Sequence, residues 1–203
     1  MKKNEKLLER DLATEEKIKI VAEKLFMEKG FSGTRTRDIA EAADINLALL
    51  NYYYRSKENL FNIIVMEKMD TVFNLLIDIL NDSTTTFEKK IELLVHKYFD
   101  LMTKNPKLPF FLMSAVQQNP DLFAKKINIK DRVADMQYHF ISQEHEIQFM
   151  LDIFSVIIFP FVIRNIIEII YYLDESTYDE LMLKRKERLL DMLQECYLKF
   201  KAK

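Results

Sequence analysis

Three short helical patterns lie close together between residues 14 and 57, and they constrain the fold of this chain more than any other feature. The first begins at Thr14, a good N-cap, and ends at Gly30, which can take the left-handed conformation that terminates a helix. Thr36 is expected to cap the second pattern and Asn46 the third, which runs to about Tyr54. Because only residues 43–46 separate the last two, the sequence predicts a helix-turn-helix.

The turn and the third helix have a predicted inner and outer side. Asp44 falls where a positive φ is often needed, and Asp tolerates that conformation better than most residues. Leu50 and Tyr54 are four residues apart, so both should face a small core. The outward positions are then Leu47, Ala48, Asn51 and Tyr52. An exposed helix face of this kind, followed by tyrosines and cations, suits the major groove of DNA.

A longer set of residues carries a specific resemblance over roughly the first 60 positions. The matching residues are Ile18, Ala22, Leu25-Phe26, Glu28-Lys29-Gly30-Phe31, Thr34, Thr36, Asp38-Ile39-Ala40, Ala43, Ile45, Leu50, Tyr53-Tyr54, Ser56-Lys57-Glu58 and Leu60. In this combination the chain resembles a TetR-family transcriptional regulator. It departs from the family at Asp44, where Gly is usual, and at Asn51, where Tyr is frequent. The resemblance implies an all-α fold of about nine helices, with a helix-turn-helix head (residues 1–57) on a larger effector-binding and dimerisation domain (residues 58–203).

Four polar residues of the head are expected to contact phosphates of double-stranded DNA. Thr36 and Asn46 stand at helix starts, where backbone N–H groups attract anions. Tyr53 can donate its hydroxyl, and Lys57 can pair with a phosphate at the start of the fourth helix, which Ser56 should cap. Such contacts position a protein on DNA without reading its sequence.

Base contacts are expected from Arg37 and from the outward face of the third helix. Arg37 matches a family position that can reach a base edge, where Arg suits guanine, although a solvated Arg is the alternative. Asn51 could read adenine, and Tyr52 could contact a base or a sugar. Apolar contacts with thymine methyls are expected from Leu47, Ala48 and Leu49.

Beyond residue 60 the pattern indicates helices throughout, in keeping with a chain that has only two Gly and four Pro. Thr86 is a cap candidate, and a helix from Glu146 to about Leu173 should kink at Pro160. Ser176 should cap the last helix. An apolar stripe on that helix is predicted at Leu181, Leu189, Leu193, Tyr197 and Phe200.

The resemblance also implies a small-molecule effector whose binding weakens the affinity for DNA. The body is rich in aromatic and methionine side chains, which suit an apolar or aromatic ligand. The candidate ligand residues are His96, Phe99, Met102, Phe110, Met113, Met136, His139, Phe154, Arg164 and Glu168. The alternative is that the apolar members are core residues and that Arg164 pairs with Glu168, four positions on.

Dimerisation is expected through the two carboxy-terminal helices, which pair with those of a second subunit in the family. A second apolar face on these helices is predicted at Ile153, Ile157, Phe161, Ile166 and Ile170. A homodimer would also place two heads on the two half-sites of a palindromic operator.

Other classes of protein fit the sequence less well. Cys196 is the single cysteine, the three His lack metal-site spacing, and two glycines cannot make a glycine-rich phosphate loop. We therefore expect no enzyme, no cofactor and no metal. Residues 1–13 lack an apolar stretch that could serve as a signal peptide. The apolar run 153–163 is too short to span a bilayer. We therefore expect a cytoplasmic protein that does not associate with a membrane. The head is slightly basic, with 12 Lys or Arg against 10 Asp or Glu over residues 1–57.

Three functions remain open at this point. The leading hypothesis is a dimeric repressor that a small apolar or aromatic effector releases from a palindromic operator. A second is a helix-turn-helix regulator without small-molecule input, controlled by a protein partner. The third is an all-α enzyme or carrier of apolar molecules that merely retains the head.

Overall fold

The computed structural model describes residues 2–127, 144, 147, 148, 151, 152 and 154–201. Within these ranges every regular element is helical, which confirms the all-α prediction. The helices are α1 (Lys2–Gly33), α2 (Thr36–Ala42), α3 (Leu47–Tyr54), α4 (Lys57–Asn81), α5 (Phe87–Lys104), α6 (Leu108–Gln118), α7 (Pro120–Ile127), a π-helix (Phe154–Ile158), α8 (Phe159–Val162), α9 (Arg164–Tyr171) and α10 (Glu175–Lys201). Two compact units divide within α4, one of residues 1–70 and one of residues 71–203.

The first unit has a small core built by α1, α2, α3 and the first half of α4. Its members are large apolar side chains together with alanines where helices approach closely: Ile18, Ala22, Phe26, Ile39, Ala40, Ala43, Leu50, Tyr54, Leu60, Phe61, Ile64 and Val65. Phe61 meets Phe26 edge-on, with ring centroids 5.1 Å apart, and lies 4.8 Å from Phe31. These contacts join α4 to the end of α1, because aromatic pairs stabilise beyond their buried area.

Two predicted caps in this unit are wrong. Thr14 lies inside α1, which begins at Lys2, because the charged residues before it favour a helix as well. Thr36 is the first helical residue of α2 and not its cap, since the Arg35 N–H donates to Asp38 Oδ2 at 3.0 Å instead. Gly30 does take a positive φ of 71° and interrupts α1, as predicted.

The second unit packs the inner faces of its helices around α5. The buried face of α5 is an unbroken helical stripe of Ile91, Leu94, Val95, Tyr98, Phe99 and Met102. Thr86 caps this helix, as predicted, by accepting from the Lys89 N–H at 3.3 Å. The Tyr98 hydroxyl donates to the Val72 carbonyl at 2.6 Å, and its burial raises the pKa of the phenol.

The last helix follows its predicted stripe at Leu189 and Leu193, which are buried, and differs from the prediction at its start. Asp174, and not Ser176, caps α10, since its carboxylate accepts from the Thr177 N–H at 2.8 Å. Leu181 is 44% exposed, so the predicted stripe is not buried along its whole length, and the side chains of Tyr197 and Phe200 lie outside the described ones. The buried stripe begins one turn earlier and runs through Tyr178, Met182, Leu189 and Leu193.

The predicted kink at Pro160 takes a more elaborate form than a bend at that residue. A π-helix precedes the proline, and the chain bends by 62° between Phe154–Val162 and Arg164–Tyr171. A proline has no N–H, so in an α-helix the Val156 carbonyl would lack its donor. Arg185 of α10 donates to that carbonyl through Nε at 3.4 Å and Nη2 at 3.2 Å, which ties α10 to the irregular segment.

Among the described helices, none has by itself the length and hydropathy needed to cross a membrane. The segments Phe154–Val162 and Arg164–Tyr171, which are bent by 62° relative to each other, meet those limits only when they are counted together.

Candidate nucleic-acid interface

The turn between α2 and α3 is closed by three backbone hydrogen bonds. The N–H groups of Ala43, Asp44 and Ile45 donate to the carbonyls of Ile39, Glu41 and Ala40 at 2.9, 3.0 and 3.0 Å. Asp44 has a φ of 53°, which confirms the predicted positive φ at the turn. The turn therefore sets the direction in which α3 leaves α2, before any ligand is present.

Asn46 caps α3, as predicted. Its Oδ1 accepts from the Leu49 N–H at 2.8 Å, and its backbone has the extended conformation usual for an N-cap. Since the carboxamide oxygen is committed to the helix, the Nδ2 group is the part of this side chain that can donate to a phosphate.

The outer face of α3 presents two apolar and two polar side chains to solvent. Leu47, Ala48, Asn51 and Tyr52 are all exposed, and Leu50 and Tyr54 are buried, so both sides of the helix are as predicted. The exposed fraction of Tyr52 reaches 76%, and its ring meets Tyr53 edge-on at 5.2 Å. A ring this exposed contributes little to the core of the head and is accessible to another molecule.

Leu49 and Tyr53 lie at the borders of this outer face, where both are half-buried. Leu49 borders a shallow depression that it shares with Ala40, Glu41, Asp44, Ile45 and Asn46. Of the three apolar residues expected to contact thymine methyls, Leu47 and Ala48 therefore face outward and Leu49 is turned toward α2.

At the start of α2, Arg37 is exposed and Thr36 is half-buried. Within the described part of the chain, no hydrogen bond or ion pair engages the Arg37 guanidinium. Arg37 can therefore reach a base edge or a phosphate without breaking an internal contact.

Tyr54 anchors the carboxyl end of α3 to α1. Its hydroxyl donates to the Glu15 carbonyl at 2.8 Å, and burial raises the pKa of the phenol to about 12, so the donor stays protonated at neutral pH. Ser56 caps α4, as predicted, by accepting from the Asn59 N–H at 3.1 Å. Asn59 Nδ2 in turn donates to the Tyr54 carbonyl at 3.0 Å.

Two ion pairs join α1 to α4 on the flank of the same unit. Lys19 Nζ lies 2.9 Å from Glu67 Oε1, and Lys68 Nζ lies 2.6 Å from Glu23 Oε1. The hydrogen bonds that the Lys19 ammonium donates to the Glu16 and Glu67 carboxylates raise the pKa of Lys19, so this lysine is charged at neutral pH. The pairs are partly exposed, so each contributes little to stability on its own.

Lys57 lies in an arrangement that sequence reasoning did not anticipate. Its ammonium donates to the carbonyls of Phe31 and Thr34 at 3.0 and 2.9 Å and lies 4.0 Å from the centroid of the Phe31 ring. Thr34 is completely buried, and its hydroxyl lies 2.8 Å from the Gly30 carbonyl and 3.2 Å from the Leu25 carbonyl. Lys57 thus holds the α1–α2 connection against the start of α4. Phe31 and Thr34 belong to the residues that carry the family resemblance, but the sequence did not show that they contact Lys57, because they lie 26 and 23 positions away from it.

We expect Lys57→Met to destabilise the head by about 2 kcal/mol, because two charge-assisted hydrogen bonds and a cation–π contact are lost while the apolar stem is kept. Urea unfolding followed by circular dichroism measures the loss. Lys24→Met, at an exposed position of α1, is the matched control and should change the stability by less than about 0.5 kcal/mol. Equal stabilities for the two variants would contradict this role of Lys57.

The ligand candidates of the second unit occupy different environments. Phe99 and Met102 are core residues, 2% and 1% exposed, and Phe99 meets Phe161 edge-on at 5.5 Å. Phe110 and Met113 lie on the surface of α6, with 64% and 45% exposed. Four further candidates remain. His96 Nε2 lies 4.0 Å from a Glu92 carboxylate oxygen, and Phe154 is half-buried. Met136 and His139 lie outside the described residues.

Arg164 links α9 to α10. It is 7% exposed, and Nε lies 2.7 Å from Glu168 Oε1 while Nη1 lies 2.8 Å from Asp179 Oδ1. Nη2 donates to the Glu175 carbonyl at 3.2 Å, and the guanidinium lies 5.0 Å from the ring of Tyr178. Burial lowers the pKa of Arg164, but the bonds and charges of the two carboxylates outweigh it and raise the pKa overall. Arg164 and Glu168 therefore pair, as the alternative interpretation held.

The predicted second apolar face is only partly exposed. Ile157 and Phe161 are 1% and 2% exposed, so their assignment is wrong, because both fill the core of their own unit. Ile166 and Ile170 are exposed, as predicted, and Ile153 lies outside the described residues. Further exposed apolar side chains of α9 and the residue after it are Ile169, Tyr171 and Tyr172, at 73%, 66% and 95%.

Within the ranges that the structure describes, His, Cys, Asp and Glu side chains form no group of three or more that could hold a metal ion.

Comparison with known proteins gives a consistent result for the head. Residues 21–64 match the family model of the bacterial regulatory proteins of the tetR family. The chain is 45% identical over 56 residues to the probable HTH-type transcriptional regulator YttP of Bacillus subtilis, covering 28% of this chain and 27% of that protein. It is 32% identical over 94 residues to IcaR of Staphylococcus epidermidis, a biofilm operon icaADBC HTH-type negative transcriptional regulator, covering 45% of this chain and 49% of IcaR. These matches thus span less than two thirds of either relative.

Similarity to solved structures extends over most of the chain. A TetR family transcription regulator from Marinobacter aquaeolei aligns with a TM-score of 0.60 at 16% identity, covering 88% of this chain and 96% of that one. The hemolysin II transcriptional regulator HlyIIR aligns with a TM-score of 0.59 at 20% identity, covering 88% and 97%. At these identities the similarity establishes the fold of the chain.

Proposed function

We propose that this chain, which belongs to the TetR family by its amino-terminal domain, is a dimeric DNA-binding transcriptional regulator that represses its target. The observation that carries the proposal is the outer face of α3, where Leu47, Ala48, Asn51 and Tyr52 are exposed together on a helix whose direction is set by a closed turn. The relative IcaR is named as a negative regulator, which supports repression.

The outer face of α3 suits the major groove in size and in chemistry. An eight-residue helix is about 12 Å long, close to the width of that groove. Asn51 can pair with adenine, and Leu47 and Ala48 can pack on thymine methyls. Arg37 is the remaining candidate for a base edge, and Tyr52 can lie against a base or a sugar.

Phosphate contacts on either side of the groove are proposed for Thr36, Asn46 and Tyr53. The Asn46 Nδ2 and the N–H groups at the start of α2 are oriented by the caps described above. These contacts would set the position of the head on the duplex, while the outer face of α3 reads the bases.

We propose a homodimer through the two carboxy-terminal helices, and the exposed apolar side chains of α9 support it. Ile166, Ile169, Ile170 and Tyr171 are each more than half exposed on an eight-residue helix. Such a patch is usually covered by another protein surface. A second copy would bury it symmetrically and place two heads on a palindromic operator. We accordingly propose residues 1–57 as the reading head and residues 58–203 as the effector and dimerisation domain of a cytoplasmic protein.

The signal that releases the operator is proposed to be a small apolar or aromatic molecule. Support comes from the resemblance to the TetR family, in which the body usually binds such a molecule, and from the half-buried Phe154 among the candidate ligand residues. Release requires that the effector bind the DNA-free state more tightly than the DNA-bound state.

Control by a protein partner is the second candidate, favoured by the exposure of Phe110 and Met113 on α6. A thermal-shift screen of apolar and aromatic compounds separates the two. Stabilisation by a compound that also lowers DNA affinity supports the effector. The partner is supported by three results together. A cell extract lowers the DNA affinity of the wild type, no compound in the screen does so, and the extract has no effect on Phe110→Ser.

The proposed function is tested by titrating the protein against the intergenic DNA upstream of its own gene and against a scrambled duplex of equal length, at 50 and 200 mM salt. We expect at least about 1,000-fold preference for one upstream site and weaker binding at the higher salt. Equal affinity for the two duplexes at both salt concentrations would contradict regulation at that site.

A further inference from the structure

The backbone at the end of α3 is strained at Arg55. This residue has φ 63° and ψ −44°, and its N–H donates to the Asn51 carbonyl at 2.9 Å, which closes the helix. The next N–H, of Ser56, donates back to the Tyr54 carbonyl at 2.7 Å. A hydrogen bond from residue i+2 to residue i around a central positive φ is the rarer, strained form of the γ-turn. Glycine would take this conformation without the steric penalty of a Cβ.

The surroundings of the turn hold it in this strained form. The Tyr54 side chain is anchored to α1, and its carbonyl also accepts from Asn59 Nδ2 at 3.0 Å. Ser56 caps α4 on the other side of the turn. The hydrogen bonds that maintain the turn come from the backbone and from these neighbours, and none requires the arginine side chain.

The Arg55 guanidinium is exposed, and across the described residues no hydrogen bond or ion pair engages it. Lys57, two positions on, is in the opposite situation, because its ammonium already bonds to two carbonyls and faces an aromatic ring. Of the two cations that follow α3, Arg55 is therefore the one that can bind an anion without breaking an internal contact.

We propose that Arg55 makes the contact with a DNA backbone phosphate at the carboxyl end of α3, and that Lys57 positions this turn without contributing to the salt dependence of binding. The inference rests on the proposed function. Arg suits the task because its planar guanidinium can donate two hydrogen bonds to one phosphate. Arg55 lies beyond the last turn of α3, so its contact would fall on the wall of the groove and would position the head without reading bases. Strained backbone kept at a place where glycine would fit is typical of a side chain retained for function.

A simpler role for Arg55 is to offset the partial negative charge at the end of α3. Arg55→Gly relieves the positive φ in either case, so Arg55→Gln, which keeps the strained φ and removes the charge, separates the two roles. If the charge served the helix, Arg55→Gln would lower the unfolding midpoint. If Arg55 serves DNA, Arg55→Gln leaves the midpoint unchanged and weakens DNA binding.

The test measures the affinity of the wild type, Arg55→Gly, Arg55→Asn, Arg55→Lys and Lys57→Met for a random-sequence duplex and for the upstream DNA, between 50 and 200 mM salt. Asn also tolerates a positive φ and is uncharged, so it keeps the test independent of any effect of glycine on folding. Lys97→Ala, an exposed cation of α5, is the control and should leave binding unchanged.

We expect Arg55→Gly and Arg55→Asn to weaken binding to both duplexes by about tenfold per head at 50 mM salt. The slope of log affinity against log salt should become shallower by about 0.9 per head, or about 1.8 for a dimer with both heads bound. Arg55→Lys should restore most of the slope, and Lys57→Met should retain the wild-type slope.

If the wild type bound DNA and both Arg55→Gly and Arg55→Asn matched its affinity and its salt slope, this inference would be wrong and the proposed function would stand. If the slope of log affinity against log salt became shallower in Lys57→Met and not in the Arg55 variants, the phosphate contact would belong to Lys57 and this inference would be wrong. A wild type that binds neither duplex would overturn the proposed function and this inference with it.

Discussion

Tyr52→Ala is expected to lower the affinity for the operator by about 100-fold and to leave the unfolding transition of the protein unchanged. Tyr52 is 76% exposed, so its ring contributes little to the core of the head. If each head loses a base or sugar contact of about 1.4 kcal/mol, a dimer loses about 2.8 kcal/mol, which is a factor of about 100. Fluorescence anisotropy with a labelled operator duplex measures the affinity, and circular dichroism measures the unfolding.

Phe110→Ala is the control for Tyr52→Ala, because it removes another exposed aromatic ring from outside the head. It should change the operator affinity by less than about twofold. Tyr52→Phe keeps the ring and removes the hydroxyl. If this variant kept the wild-type affinity for the operator, the ring and not the hydroxyl would make the contact. If Tyr52→Ala bound the operator within twofold of the wild type, the outer face of α3 would not be the surface that reads DNA.

Ile169→Glu combined with Ile170→Glu is expected to convert the dimer into a monomer. Both isoleucines are exposed on α9, at 73% and 58%, so the substitution should not disturb the core of the subunit. A symmetric dimer would bury four new carboxylates, and an unpaired buried charge is costly. We expect the dimer dissociation constant to rise by at least about 1,000-fold, and operator affinity to fall because one head alone makes half of the contacts.

Sedimentation equilibrium of the wild type and of the double variant measures this change against a monomer mass of 24.3 kDa. Phe110→Glu places a carboxylate on an equally exposed apolar position of α6 and should remain dimeric. A double variant that sediments as a dimer would exclude α9 from the interface. A monomeric wild type at micromolar concentration would contradict a dimer formed without DNA.

The features of the head that the sequence predicted correctly depend on neighbouring residues. The positive φ of Asp44, the cap made by Asn46 and the inward positions of Leu50 and Tyr54 follow from side-chain size, hydrogen-bonding capacity and helical period. The caps made by Ser56 and Thr86 were predictable for the same reason. Each of these rules spans at most four positions of the chain.

The wrong predictions show where local rules compete. Thr36 and Ser176 are good cap residues, but α2 begins one residue earlier than a Thr36 cap requires, with the Arg35 N–H donating to Asp38, and the Asp174 carboxylate caps α10 in place of Ser176. Thr14 could start a helix, but the residues before it continue one. A choice between two suitable local acceptors depends on geometry that a sequence pattern does not contain.

The environments of Lys57 and Arg164 could not be predicted, because they depend on contacts distant in sequence. Lys57 matches a family position that suggests a phosphate, yet its ammonium meets carbonyls 23 and 26 positions away. The helical spacing of Arg164 and Glu168 suggested their pairing, but the further bond to Asp179 depends on how α9 meets α10. The Phe154 to Tyr172 segment likewise bends beyond Pro160, at a place that the proline alone does not specify.

The most direct test of the central claim is a selection of the purified protein on random-sequence duplex DNA, followed by sequencing of the bound fraction. We expect enrichment of an inverted repeat whose half-sites are spaced by about one helical turn or a small multiple, with A·T pairs where Leu47 and Ala48 meet thymine methyls. The same selection with Tyr52→Ala should lose the enrichment. A wild type that enriches no sequence over the starting pool would contradict the claim that α3 is a reading helix.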